Sequence, residues 1–237
     1  MKLTIVIPVF NEEKTIEEVL KRVNEVKIPN AEKEVIVVDD GSSDKTAEVI
    51  KKALLKLKSI KFIQHEKNMG KGAAVRTGIN KASGDYVIIQ DADLEYNPNL
   101  IPMLFGKIDG EKKVVYGTRL QRLPNLTHEE RTFRFLSHYL GNRFLSLTTS
   151  LLYGQWITDM ETCYKLFPKK AMEKITLKSR GFDFEPEITA KLLKNGFRII
   201  EVPITAEPRG YDEGKKLNTF RDGFKALYSL FKYRLSD

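Results

Sequence analysis

The sequence has one cysteine, Cys163, so no disulfide can form within the chain. That suits a reducing compartment. Its three histidines, His65, His128 and His138, stand far apart and make no metal-ligand spacing; each is read as structural or exposed. No run reaches the roughly 18 apolar residues of a membrane span. The nearest, residues 144–158, is interrupted by Ser, Thr, Gly and Gln. The first residues enter an apolar stretch directly, without the basic region and cleavage site of a signal peptide. A cytoplasmic protein is expected. Repeats, low-complexity tracts and linkers are absent as well, which predicts one domain over residues 1–237. There is no P-loop. There is also no glycine fingerprint after the first strand, where Pro8 and Phe10 stand instead. The net charge of +8 favours anionic ligands. No nucleic-acid motif accompanies it, so a nucleic-acid partner is not expected.

What is present alternates. Short runs rich in Val and Ile at residues 3–10, 34–40, 61–65, 86–93 and 114–118 read as strands buried on both faces. Between them, residues 13–26, 45–57 and 70–81 carry helical spacing. Ile16, Val19, Leu20 and Val23 form one stripe, and Asp44 stands where it can cap the second helix. This order predicts an α/β fold, a mostly parallel Rossmann-like sheet with helices on both faces. Further on, the pattern predicts a helix near residues 184–194, a strand near 198–204 and a basic amphipathic helix over 219–235.

Ligands of open α/β sheets bind at the carboxyl ends of the strands. Acidic clusters stand at three strand ends: after strand one (Asn11-Glu12-Glu13), at the end of strand two (Asp39-Asp40) and at the end of the fourth run in Asp91-Ala92-Asp93. Any one of them could be an ordinary turn. The two carboxylates of Asp91 and Asp93 can converge on a hard divalent cation such as Mg²⁺ or Mn²⁺, which would offset charge on a departing diphosphate. Asn68-Met69-Gly70-Lys71-Gly72 opens the third helix. Its glycines could let backbone N–H groups approach a phosphate, or could simply allow close packing.

With these residues in view, the chain resembles the family 2 glycosyltransferases of the GT-A fold. Within them it is most similar to the polyprenyl-phosphate (dolichyl-phosphate) mannosyltransferase and glucosyltransferase group. The motifs that carry the resemblance are IPVFNEE, VVDDGSSD, NMGKGAAVRTG, QDADLEYNP, VVYGTR, TDMETCYKLF, GFDFEPEI, EVPI and TAEPR. The resemblance implies a nucleotide-sugar donor, held in residues 1–118, and a polyprenyl or dolichyl phosphate acceptor on the side of residues 119–237. It implies that Pro8, Phe10, Glu12 and Asp40 hold the base and ribose, with Lys71 among the donor-binding residues. Asp91, Asp93 and Glu95 are the implied metal-proximal set. Arg119 is expected near the acceptor phosphate, assisted by Arg131 or Arg134, with Arg209 closing over the diphosphate. Mannosyl members usually carry Ser-Gly-Phe/Tyr-Arg where this chain has Thr162-Cys163-Tyr164-Lys165. The donor sugar is therefore left open, with Lys165 among the candidate binding residues.

The implied reaction inverts the anomeric centre. A phosphomonoester acceptor, with a second pKa of about 6, needs no strong base. A hydroxyl acceptor does need one, and Asp159 or Glu161 would supply it. A lipid acceptor also suits a peripheral position on the cytoplasmic face of a membrane. Candidate contact surfaces are the 219–235 helix (Phe220, Phe224, Leu227, Phe231, Leu235) and residues 131–153. Trp156 is read as packed, in the core or at an interface.

Overall fold

Strands with no polar alternation must be covered on both faces, and β1 (Lys2–Val9) buries every residue after Lys2. The computed structural model describes residues 1–57, 59–110, 112–120, 133–207 and 219–236, with backbone alone at 133–135 and 219–220. With β1 stand β2 (Glu32–Asp39), β3 (Ile60–Gln64), β4 (Tyr86–Ile89), β5 (Lys113–Thr118), β6 (Lys165–Pro168) and β7 (Arg198–Pro203). They form one seven-stranded sheet in the order β3-β2-β1-β4-β6-β5-β7. β6 alone runs antiparallel, to both β4 and β5.

Helix α1 (Ile16–Glu25) buries the predicted stripe of Ile16, Val19, Leu20 and Val23. At the start of α2 (Thr46–Leu54), Asp44 Oδ1 accepts from the Thr46 N–H at 2.9 Å. Helix α3 (Lys71–Lys81) packs its small residues on β1 and β2. A short α4 (Ile101–Phe105) precedes β5, and α5 (Phe133–Tyr153) precedes β6. Helix α6 (Phe184–Lys194) is buried from Phe184 to Leu192. It packs against α7 (Thr219–Leu235), which also packs against α5.

Three features depart from expectation. The strand expected over 86–93 ends at Ile89, because Gln90 Nε2 donates to the carbonyls of Asp91 and Tyr96 and the chain turns. β6 was not anticipated; its residues read only as part of a chemical motif. Trp156 is not packed away but 69% exposed.

Candidate active site

From β1 the chain moves outward to β2 and β3, then returns to β4 on the other side of β1. A crevice opens at such a reversal, at the carboxyl ends of the strands. Residues 8–12 lie there at the end of β1, Asp39 and Asp40 at the end of β2, and 91–95 beyond β4. Because β6 is antiparallel, its beginning points to the same end of the sheet, which brings residues 158–165 into the site. Arg119 arrives from the end of β5.

Asp40 builds the crevice wall. His65 Nδ1 donates to its Oδ1 at 2.7 Å, the Met69 N–H at 3.0 Å and the Gly70 N–H to Oδ2 at 2.7 Å. Both oxygens expected to hold base or ribose are thus engaged by the loop before α3. Asp39, beside it, accepts from Ser42 through Oδ1, whereas its Oδ2 is buried without a partner. The expected glycine cradle is also differently used. Gly70 has φ +96°, a Cβ there would overlap the Arg180 carbonyl, and its N–H already serves Asp40. Both Gly70 and Gly72 allow close backbone packing, and the Gly70 N–H is already engaged. Pro8 is buried in β1, Phe10 and Glu12 are half-buried just beyond it, and Glu12 accepts from the Thr15 hydroxyl at 2.9 Å.

Asp91 and Asp93 flank buried Ala92. The turn is closed by Leu94 at φ +66°, uncommon for a non-glycine residue, and by the Glu95 N–H donating to Asp93 Oδ1 at 3.1 Å. Lys71 Nζ bridges Asp91 and Glu185 at 3.0 Å each. Burial opposes its charge, but those two carboxylates hold its pKa well above the ordinary lysine value. Among the described residues no three metal-type side chains cluster. Two carboxylates fit an ion such as Mg²⁺, which needs few protein ligands and takes phosphate oxygens for the rest.

Arg119 and Asp159 form a fork-to-fork pair. Nε and Nη2 donate at 2.8 and 2.9 Å, and the Arg119 backbone N–H adds a third bond at 2.9 Å. The guanidinium carbon lies 5.7 Å from the centre of the Tyr96 ring. Asp159 is fully buried. Burial opposes its ionisation, yet Arg119 holds its pKa below the ordinary carboxylate value. Glu201 on β7 fixes the turn from beneath, accepting from the Thr158 and Asp159 N–H groups. Asp159 thus anchors Arg119 with both of its oxygens.

Lys165 is neither a surface residue nor open to a substrate. It is fully buried, donates to the carbonyls of Met160 and Thr162 at 2.7 and 2.6 Å, and sits 4.3 Å from the Tyr116 ring centre. Burial lowers its pKa to about 8 against the pull of Glu185 and Glu161. Burial, followed by the charge of Glu185, pushes Glu161 up to about 8. Glu187, two residues beyond Glu185 in the sequence, faces elsewhere. It accepts from the Lys178 and Ser179 N–H groups and pairs with Lys191. Sequence reasoning gave no role to Asp39, Tyr96, Thr162 or Glu201 individually; of these, only Glu201 opens a motif of its own, EVPI. Arg131 and Arg209 lie outside the described residues, and Arg134 is in the first turn of α5, with its side chain also outside them.

Residues 4–176 match the family model described as glycosyl transferase family 2. An uncharacterised protein of Methanocaldococcus jannaschii is 31% identical, over 99% of this chain and 93% of its own. The UDP-N-acetylglucosamine–dolichyl-phosphate N-acetylglucosaminyltransferase of Methanococcus voltae is 29% identical, over 98% and 95%. The dolichol-phosphate mannosyltransferase of Pyrococcus furiosus is 28% identical over 98% of this chain, which spans 64% of that protein. Among solved structures, glucosyl-3-phosphoglycerate synthase of Mycobacterium tuberculosis bound to UDP aligns with TM-score 0.74 at 19% identity, over 100% of this chain and 81% of that one. The same enzyme with Mn²⁺, UDP and phosphoglyceric acid aligns at 0.73 and 20% identity, over 100% and 79%.

Proposed function

This chain belongs to glycosyl transferase family 2 and has the α/β GT-A fold, and on that premise we propose that it moves a hexose from a nucleotide-sugar, of the GDP-mannose or UDP-glucose type, to a polyprenyl or dolichyl phosphate. The observation that carries the choice of acceptor is the pair of Arg119 and Asp159. A guanidinium gripped on two nitrogens keeps its orientation and offers the remaining one, Nη1, to an incoming phosphate. With its pKa held down by Arg119, Asp159 is a weak proton acceptor, and a dianionic phosphate needs none. The two named archaeal relatives, whose names include dolichyl or dolichol phosphate, support the same acceptor.

In this reading the acceptor oxygen attacks the anomeric carbon from the Arg119 side, with inversion, as the nucleoside diphosphate leaves. Asp91 and Asp93, with Glu95 beside them, are the residues that would hold Mg²⁺ or Mn²⁺, ions present in solved structures of the mycobacterial synthase. When bound, such an ion neutralises charge on the leaving diphosphate. Lys71 adds a positive charge at the same carboxylate. Arg209, Arg131 and Arg134 complete the proposed phosphate-binding set. Residues 1–118 carry the donor side and 119–237 the acceptor side of one domain. A peripheral membrane position, on the cytoplasmic face, is part of the proposal. It is supported by exposed apolar rows on α5 (Leu140, Phe144, Leu147, Leu151) and on α7 (Phe224, Tyr228, Phe231, Leu235). No helix among the described residues is long and apolar enough to cross a membrane.

The test supplies short polyprenyl phosphates and phosphoglycerate in parallel, with UDP- and GDP-sugars and Mg²⁺ or Mn²⁺, and reads products by mass spectrometry. A lipid-phosphate sugar that disappears in Asp93→Ala and Arg119→Ala is the expected result. Transfer to phosphoglycerate or a sugar hydroxyl, with none to lipid phosphate, would overturn the acceptor assignment.

A further inference from the structure

Tyr96 directly follows the turn that carries Asp91, Asp93 and Glu95, and it is buried, at 2% exposure. A buried tyrosine needs a partner for its hydroxyl and a surface for its ring. Its main chain is tied to the turn without help from the side chain. Gln90 Nε2 donates to the Tyr96 carbonyl at 3.1 Å, and Tyr96 pairs with Ala206 in an isolated antiparallel bridge. Beside that bridge the Glu207 N–H donates to the Glu95 carbonyl at 2.9 Å. The side chain reaches away from the turn toward the start of β6. Its hydroxyl oxygen accepts from the Cys163 N–H at 3.1 Å, and its ring centre lies 4.9 Å from that of Tyr164. Tyr164 in turn donates to Gln90 Oε1 at 2.6 Å, which closes a circle of contacts back to Tyr96. The ring is therefore fixed at its hydroxyl, by its aromatic neighbour and through its backbone.

Over this fixed ring stands the Arg119 guanidinium, its central carbon 5.7 Å from the ring centre. That is within the range at which an arginine is attracted to an aromatic face. Asp159 grips the same guanidinium through Nε and Nη2. The two contacts restrain different motions. A carboxylate fork sets where the nitrogens point within the guanidinium plane. It resists tilting of that plane only weakly, because hydrogen bonds tolerate a spread of angles. A ring on one side blocks the tilt. Nη1, which the fork leaves over, then points one way, and alignment of an incoming phosphate requires that.

We propose that Tyr96 is a positioning residue for the acceptor: its ring fixes the tilt of Arg119 and ties that tilt to the turn of Asp91, Asp93 and Glu95. This rests on the reading of Arg119 above as the group that binds the acceptor phosphate. One residue keeps the two sides of the reaction in register. Its backbone belongs to the turn that would hold the donor's metal, and its side chain carries the cation that meets the acceptor.

Two substitutions separate the parts of the side chain. Tyr96→Phe keeps the ring and loses the bond to Cys163; Tyr96→Leu loses the ring and keeps the main-chain bonds. Initial rates are measured with polyprenyl phosphate, nucleotide-sugar and Mg²⁺. The KM for lipid phosphate should stay within about twofold of wild type in Tyr96→Phe and rise about tenfold in Tyr96→Leu, with the donor KM within about twofold in both. If Tyr96→Leu does not fold, a ring-fluorinated phenylalanine at position 96 carries the test. It keeps the shape of phenylalanine but draws negative charge from the ring face, and it should raise the acceptor KM severalfold over Tyr96→Phe. Equal rises in donor and acceptor KM, or an unchanged acceptor KM, overturn the assignment and leave a packing residue. The hold on Arg119 is also read without turnover, from NMR relaxation of its Nε–H group. The order parameter should fall in Tyr96→Leu and persist in Tyr96→Phe; an unchanged value in Tyr96→Leu likewise overturns the assignment. A wild type that makes no lipid-phosphate sugar sinks the acceptor reading instead, and the relaxation measurement then decides separately whether Tyr96 holds Arg119.

Discussion

Arg119 and Asp159 illustrate how one side chain sets what another can do. Removing one partner of a buried pair leaves an uncompensated charge, at a cost of about 3–5 kcal/mol. Asp159→Asn keeps the shape and removes the charge. It should lower the melting temperature and raise the KM for lipid phosphate well above any change in donor KM, as read from initial rates against each substrate. Gly70 is a second single-residue dependence. Its φ of +96° and the Arg180 carbonyl leave no room for a side chain, so Gly70→Ala should destabilise by about 1–3 kcal/mol in urea unfolding. At this scale the sequence was legible for Asp91 and Asp93, because spacing alone brings two carboxylates to one turn. It could not distinguish Asp39 from Asp40. Which of two neighbouring carboxylates remains open depends on His65, Met69 and Gly70, which approach only after the chain has folded.

Helix α7 has two apolar faces. Ala226, Leu230 and Tyr233 point inward, whereas Phe224, Tyr228, Phe231 and Leu235 point outward. Exposed Arg221, Lys225, Lys232 and Arg234 lie along the outer side. An outward apolar row edged by cations is the pattern of a helix lying in a membrane interface. Replacing Phe224 and Phe231 together by serine should cut co-sedimentation with anionic vesicles by about tenfold, at little cost in melting temperature, since neither residue fills the core. Binding of the wild type should also weaken as salt rises. The helices were readable because their periodicity runs over many turns. β6 was not: a four-residue strand carries too little pattern, and its antiparallel direction is set by its partners. Lys165 was expected among the substrate contacts because it stands where mannosyl relatives usually carry Arg, a comparison that carries no strand direction. Once the strand is placed, its side chain turns beneath the site toward Tyr116.

Across the whole molecule, both proposed halves share one sheet. β5, at the end of residues 1–118, lies between β6 and β7, which come later in the chain. A fragment of residues 1–118 leaves the edges of β4 and β5 without neighbours. It should aggregate and show no cooperative melting transition. At the opposite end of the sheet, Glu34 joins Thr4, Lys61 and Ser83. Burial opposes its charge, but those hydrogen bonds bring its pKa down to about 2. A carboxylate held below its unfolded value contributes stability that is complete above about pH 4.5 and lost as pH falls through about 2. Glu34→Gln should therefore unfold more easily than wild type at neutral pH, by on the order of 2 kcal/mol. The gap should close on acidification from about pH 4.5 to 2, followed by circular dichroism.

The late, reversed strand also bears on how the protein is made. As the chain leaves the ribosome, β1 to β4 can pair as soon as residue 89 has emerged, but the outer edge of β4 has no partner until residues 165–168 follow. β5 emerges in that interval and has nothing to pair with until β6 and β7 arrive. An unpaired edge of Val and Ile is what another nascent chain would join. The step that brings Asp159 to Arg119 is thus the same step that seals the sheet. A chain interrupted before residue 165 is at once inactive and prone to aggregation.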